Sequence, residues 1–226
     1  MADAVALSVL RTKCRRLSNM ETIDEANAFI TDAELTERLN SNLRTVYDKL
    51  VEARGAGFYR SVYSFSTVAG TQAYALPAAF LALLSVNVTP STGQNYDLTD
   101  AQEGELSGLT SGVTQGPLPT RYHLRGANIA LLPTPSVVVP VALAYLPAFV
   151  ELAADGDTFD GVCGFEEAAI WRTVAEMLAK DQSDPSFAIG RAVEWDARIQ
   201  KMASHRDVGG PPRVERRYRK RWGTVE

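Results

Sequence analysis

Apolar positions follow the helical period at both ends of the chain and the strand period in its middle. Between Thr31 and Ala53, residues Leu35, Leu39, Leu43, Val46, Tyr47 and Leu50 fall on one stripe of a 3.6-residue helix. Thr31-Asp32-Ala33-Glu34 reads as its capping box: the Thr31 hydroxyl takes the Glu34 N–H and the Glu34 carboxylate reaches back. Arg54-Gly55 supplies a basic last turn and a C-cap glycine. Upstream, Ala4 to Leu17 predicts a helix with Val5, Val9 and Leu17 on one side. Arg11, Lys13, Arg15 and Arg16 lie mostly on the other, as a solvated basic face, and Ser18-Asn19-Met20 ends it. A third helix is expected from Phe165 to about Lys180, carrying Trp171, Val174, Met177 and Leu178. Asp184-Pro185, an N-cap and first-turn pair, opens a fourth through Trp195, Ile199 and Met202, stopped by Gly209-Gly210-Pro211-Pro212. Trp171 and Trp195 read as core or subunit-interface residues.

The β region runs from about Tyr59 to Val150. Phe65 and Thr67 alternate with small or polar neighbours, Ala69-Gly70-Thr71 turns, and Tyr74-Ala75-Leu76 resumes until Pro77. Leu81 to Val88 is nearly continuously apolar and predicts a strand buried on both faces. The polar segment Ser91 to Gln115 reads as an exposed flexible loop, with Gly104, Gly108, Gly112 and Gly116 at every fourth position. Strands resume at Arg121–Arg125, turn at Gly126-Ala127-Asn128, and continue through Ile129 to Leu132. Pro133-Thr134-Pro135 breaks them, and Val137 to Leu146 is expected as the last strand. The expected class is therefore α+β. Helical segments 1–57 and 163–205 form a bundle, a mainly antiparallel β module spans 58–150 with a Gly-rich loop at 91–116, and 206–226 is an extended basic C-terminal arm.

Charge sharpens this picture. The 226 residues carry a net −4, yet the run from Arg213 holds six basic residues against two acidic ones, leaving the body at −8. An acidic body with a basic tail implies an acidic partner for the tail. Cys14 and Cys163 offer neither a disulfide framework nor zinc spacing, which points to a reducing compartment. No basic region precedes the apolar run near the start, so a signal peptide is not expected. Val137 to Val150 is too short and too proline-broken to span a bilayer.

Candidate chemistry is sparse. Phosphate-binding, dinucleotide, nucleophile-elbow and zinc-protease motifs are missing from the sequence, and the two histidines, His123 and His205, read as structural or surface residues. Asp155-Gly156-Asp157 imitates a calcium loop, with Glu166 at its twelfth position. Phe159 at the fifth position and Asp160 where glycine is required exclude it, and a turn with helix-capping acids remains. No catalytic residue, cofactor or metal is expected.

An ordered set of segments carries a family resemblance. The amphipathic N-terminal helix pair is followed by Phe65-Ser66-Thr67-Val68-Ala69-Gly70-Thr71 and Tyr74-Ala75-Leu76-Pro77 with Phe80-Leu81. Then come Tyr122-His123-Leu124-Arg125-Gly126, Leu131-Leu132-Pro133-Thr134-Pro135 and Ala144-Tyr145-Leu146-Pro147. The Asp155-Gly156-Asp157 loop, Glu166, two more helices and Arg206 complete the set. To about Pro212 the chain resembles the head-to-tail connector (adaptor) proteins of tailed bacteriophages; the run after Pro212 is more basic than that resemblance implies. The resemblance implies a virion protein made in the host cytoplasm. It would form a homo-oligomeric ring of roughly twelve copies beneath the portal protein, and dock a downstream tail or nozzle protein. DNA would pass through the lumen without sequence-specific contact. It also implies a portal-binding arm, whose place in this chain is Arg213, Arg216, Arg217, Tyr218, Arg219, Lys220, Arg221 and Trp222. Two other readings compete. The basic, aromatic-interleaved tail suits non-specific nucleic-acid binding, and a cell-wall hydrolase ranks last for want of a site.

Overall fold

The computed structural model describes residues 4–21, 29–55, 57–90, 93–101, 115–161 and 164–203. It is a mixed α+β fold with four helices among those residues. In chain order, β1 (Val5–Ala6) runs into α1 (Leu7–Leu17), and α2 (Asp32–Arg54) follows. The strands are β2 (Ser61–Ser66), β3 (Ala73–Ala75), β4 (Phe80–Val88), β5 (Tyr96–Asp97), β6 (Thr99–Asp100), β7 (Gln115–Gly116), β8 (Arg121–Arg125), β9 (Asn128–Leu132), β10 (Thr134–Pro135), β11 (Pro140–Pro147) and β12 (Thr158–Phe159). Helices α3 (Glu167–Lys180) and α4 (Ser186–Ala203) close the described chain.

All six stripe residues of α2 are buried, as an apolar face at the helical period requires. Thr31 Oγ1 accepts the Glu34 N–H at 3.3 Å. The other half of the expected box is replaced: the Glu34 carboxylate turns to Lys180 Nζ at 2.6 Å and Arg38 at 2.9 Å, which hold it below the usual carboxylate range. The α2 stripe packs on α3, α4 and α1, in a core that also takes Leu146, Leu152 and Phe159.

Helix α1 departs from expectation in three ways. Val5 and Ala6 are not helical; they pair antiparallel with Phe159 and Thr158. The buried side is Leu7, Leu10 and Cys14, while Val9 and Leu17 are exposed. Of the basic residues only Arg16 is largely solvated. Arg11 and Arg15 converge on Asp32 at 3.4 and 2.6 Å, Arg11 also holds Asp155, and Lys13 lies 2.9 Å from Glu167.

Two four-stranded sheets face one another. One has the order β2-β11-β4-β5, fully antiparallel with β11 inside; the other has the order β3-β9-β8-β6, with β6 parallel to β8. Val86, Val88, Val141 and Leu143 from the first meet Ile129 and Leu131 from the second. β11 runs from Pro140 to Pro147 rather than from Val137 to Leu146, Val137 and Val138 are exposed, and β12 follows, so it is not the last strand. β4 is not buried on both faces. Its register against β11 shifts at Ala144/Tyr145 and Leu146/Pro147, and the residues left over, Leu84 and Leu81, face outward. The polar segment after β4 is not all loop: β5 and β6 lie in it and bury Leu98 and Ala101, and Gly116 pairs in β7 with Pro135. Residues 102–114, with Gly104, Gly108 and Gly112, lie outside the described residues.

Candidate assembly surfaces

Helix α4 begins where the sequence says. Asp184 Oδ1 accepts the Ser186 hydroxyl at 2.5 Å and the Ser186 N–H at 2.9 Å, which lowers its carboxyl below the ordinary range. Its inner face is small: Ala188 and Ala192 are buried with Ile199. The large apolar residues face out, Phe187 72%, Ile189 50% and Val193 61% exposed. Beside them Pro185, Ile189, Ala192 and Val193 wall an open groove of about 400 Å³ against α3 and α2. At its floor Asp196 joins Arg172 at 2.6 Å and Lys49 at 2.7 Å, tying α4 to both helices. Arg172 Nη1 is buried with no partner among the described residues. Trp171 and Trp195 are half-buried against the helical core; Trp171 meets Phe187 edge-on at 5.7 Å and Arg198 covers Trp195 at 4.6 Å.

The 155–157 loop does not cap α3. It caps α1: Asp157 O and Asp155 O accept the Leu7 and Ser8 N–H groups at 2.9 and 3.3 Å. Asp157 takes the N–H groups of Ala154 and Ala153 on one carboxylate oxygen, which pulls its carboxyl below the usual range. Among the described residues no cluster of three or more His, Cys, Asp or Glu could hold a metal ion. No helix among them is long and apolar enough to cross a membrane. His123 is half-buried on β8, and His205 and Cys163 lie outside the described residues. Cys14 is fully buried, and burial pushes its thiol up to about 12, so it is an inert core residue.

Glu166 is the buried acid among the described residues. Its Oε2 has no partner among them, and burial raises its carboxyl. The neighbouring Gly161 is obligatory in this packing, since a Cβ there would collide with the Glu166 carboxylate. A raised folded pKa means the protonated form is the one the fold favours. That contribution is complete below the ordinary carboxylate range and is lost as pH rises through the folded value. Glu166→Gln is therefore expected to raise the urea midpoint at about pH 7 and leave it unchanged at about pH 4. An equal or lower midpoint at neutral pH would mean that a cation holds the charged form.

Every residue of the expected arm, Arg213 to Trp222, lies outside the described residues, which end with α4 at Ala203. What sequence reasoning missed is the outward apolar face of α4. Its signal was present: Ala188 and Ala192, four apart, take the inner positions and displace the larger residues outward.

The chain matches a known protein family. The family model described as SU10 adaptor protein covers residues 3–221, and so runs into the arm as far as Arg221, one residue short of Trp222. No curated protein matches the chain.

Proposed function

The chain belongs to the SU10 adaptor protein family, a family of phage structural adaptors, and from that premise we propose that it forms a ring between the portal and the tail of a tailed phage. The ring has roughly twelve copies under cyclic symmetry, sits at the head–tail interface of the virion, and passes DNA through its lumen. Its work is to join protein to protein, without catalysis. The observation that carries this reading is the extent of the family match, which runs from the first helix into the arm. Two features support it. The body's net −8 suits a lumen that repels phosphate and lets DNA slide. The arm's arginines suit carboxylates on the portal, with Tyr218 and Trp222 as apolar anchors.

The same reading assigns the parts. Segments 1–57 and 163–205 form the helical layer, 58–150 is a β module inserted between them, and 206–226 is the docking arm. The separate helical and inter-sheet cores support that division.

Electron microscopy of the purified protein, alone and mixed with the portal protein of the same phage, tests it. Rings capping the portal are expected, and they report the copy number directly. The tail's interleaved arginines and aromatics favour a second reading, non-specific nucleic-acid binding. Absence of rings in both samples, together with salt-sensitive retention on DNA, would establish that reading instead.

A further inference from the structure

We propose that in the free chain the groove walled by α4, α3 and α2 holds the chain's own C-terminal arm. The inference rests on the ring reading and deepens it by naming where the portal-binding arm lies before it meets the portal.

Groove and arm share one apolar spacing. Pro185, Ile189 and Val193 stand four residues apart along the groove side of α4, and Ile189 and Val193 are 50% and 61% exposed. Val214, Tyr218 and Trp222 stand four apart in the arm. In a helix a four-residue step keeps side chains on one face, each about 6 Å beyond the last. A helical arm lying antiparallel to α4 therefore sets Val214 on Val193, Tyr218 on Ile189 and Trp222 on Pro185.

The chain is long enough for this. The described residues end with α4 at Ala203, and Val193 lies ten residues back along the helix, about 15 Å. The ten residues 204–213 span up to about 33 Å when extended. Among them Gly209-Gly210-Pro211-Pro212 stops a helix and lets the chain reverse.

Charge sets the direction and the flank. Toward the Pro185 end stand Glu176, 43% exposed at its side chain, and the exposed Asp181 and Asp184. The cations near them, Arg38 and Lys180, both hold Glu34, and Arg38 reaches Glu176 only at 3.5 Å. The antiparallel arm brings Arg217, Arg219, Lys220 and Arg221 to that end. At the other end the floor includes Arg172, whose Nη1 lacks an acceptor among the described residues, and there the arm offers Glu215 beside Val214. The cations of α4 itself, Arg191, Arg198 and Lys201, lie on its other flank, around Trp171 and Trp195, and do not face the groove. A contact that the portal must displace is a weak one. It lowers portal affinity by the fraction of arms it holds and leaves the unfolding midpoint where it is.

The test uses the full chain carrying Cys163→Ser, with Cys14 left in the core, oxidised at low concentration without portal. Ile189→Cys with Tyr218→Cys is expected to close a disulfide within one chain in most molecules. Val138→Cys with Tyr218→Cys, which offers the arm an equally exposed residue of the β module, should close in few. The closed chain is expected to cap portal rings about tenfold less than the same chain after reduction, because its competent fraction is removed. Equal closure at Ile189 and Val138 would overturn the assignment by showing an arm that samples every surface. Disulfide dimers in place of closed monomers would overturn it too, giving the groove to the arm of another copy. So would a closed chain that caps portal as well as the reduced one. Closure at Ile189 by a chain that never forms rings with portal would sink the ring reading and leave the groove's occupant standing.

Discussion

Trp222→Ala is expected to weaken retention of the adaptor on portal rings by about 30-fold, with Tyr218→Ala close behind. Buried aromatic anchors at the centre of an interface contribute about 2 kcal/mol or more each, and about 1.4 kcal/mol corresponds to tenfold in affinity. Between Arg213 and Trp222 the apolar residues are few, Val214, Tyr218 and Trp222, spaced four apart. That spacing puts all three on one side of the segment whether it docks as strand or helix. Fold stability should not change, because the last residue of the described core is Ile199. Replacing Arg216, Arg217 and Arg219 by glutamine should act differently, slowing association and flattening its salt dependence more than it hastens release. Binding to immobilised portal rings at two ionic strengths separates the two effects. Unchanged retention for both aromatic variants would remove the arm as the principal anchor, and family membership would be untouched.

The parts of this fold that were legible in the sequence are those whose cause is local. α2 is a long stripe with a cap at one end and a glycine at the other, and its six stripe residues are buried as expected. The β8–β9 hairpin likewise follows from a glycine turn between two short runs. Misreadings arose where the deciding partner lies far along the chain. Val5 and Ala6 become a strand because Thr158 and Phe159 are there to pair with them. The basic residues of α1 become ion pairs because Asp32, Asp155 and Glu167 reach them. The outward leucines of β4 follow from register shifts against β11, which composition does not encode. For assembly the same logic holds. The arm was visible as a run of charge, whereas the outward face of α4 follows only once Ala188 and Ala192 are placed on the inner side.

Asn40 shows how much can depend on one such distant pairing, and Asn40→Leu is expected to cost about 3 kcal/mol of stability. Asn40 is buried on α2, and its amide behaves like a strand residue. Its Nδ2 donates to the Leu152 carbonyl at 2.9 Å and its Oδ1 accepts the Leu152 N–H at 3.0 Å. Leu152 lies between β11 and the 155–157 loop that caps α1, so this pair pins the connection on which α1's first turn depends. Leucine has the same branched shape with two bulkier methyl groups, so no cavity forms. The loss comes from two peptide groups left buried and unpaired, each costing about 1–3 kcal/mol. Asn40→Ala opens room for water to serve them and should cost less. Urea unfolding of both variants gives the ranking, and hydrogen exchange at Leu7, Ser8 and Leu152 should quicken most in Asn40→Leu. A larger loss for alanine than for leucine would mean that packing, not the paired amide, is what Asn40 contributes.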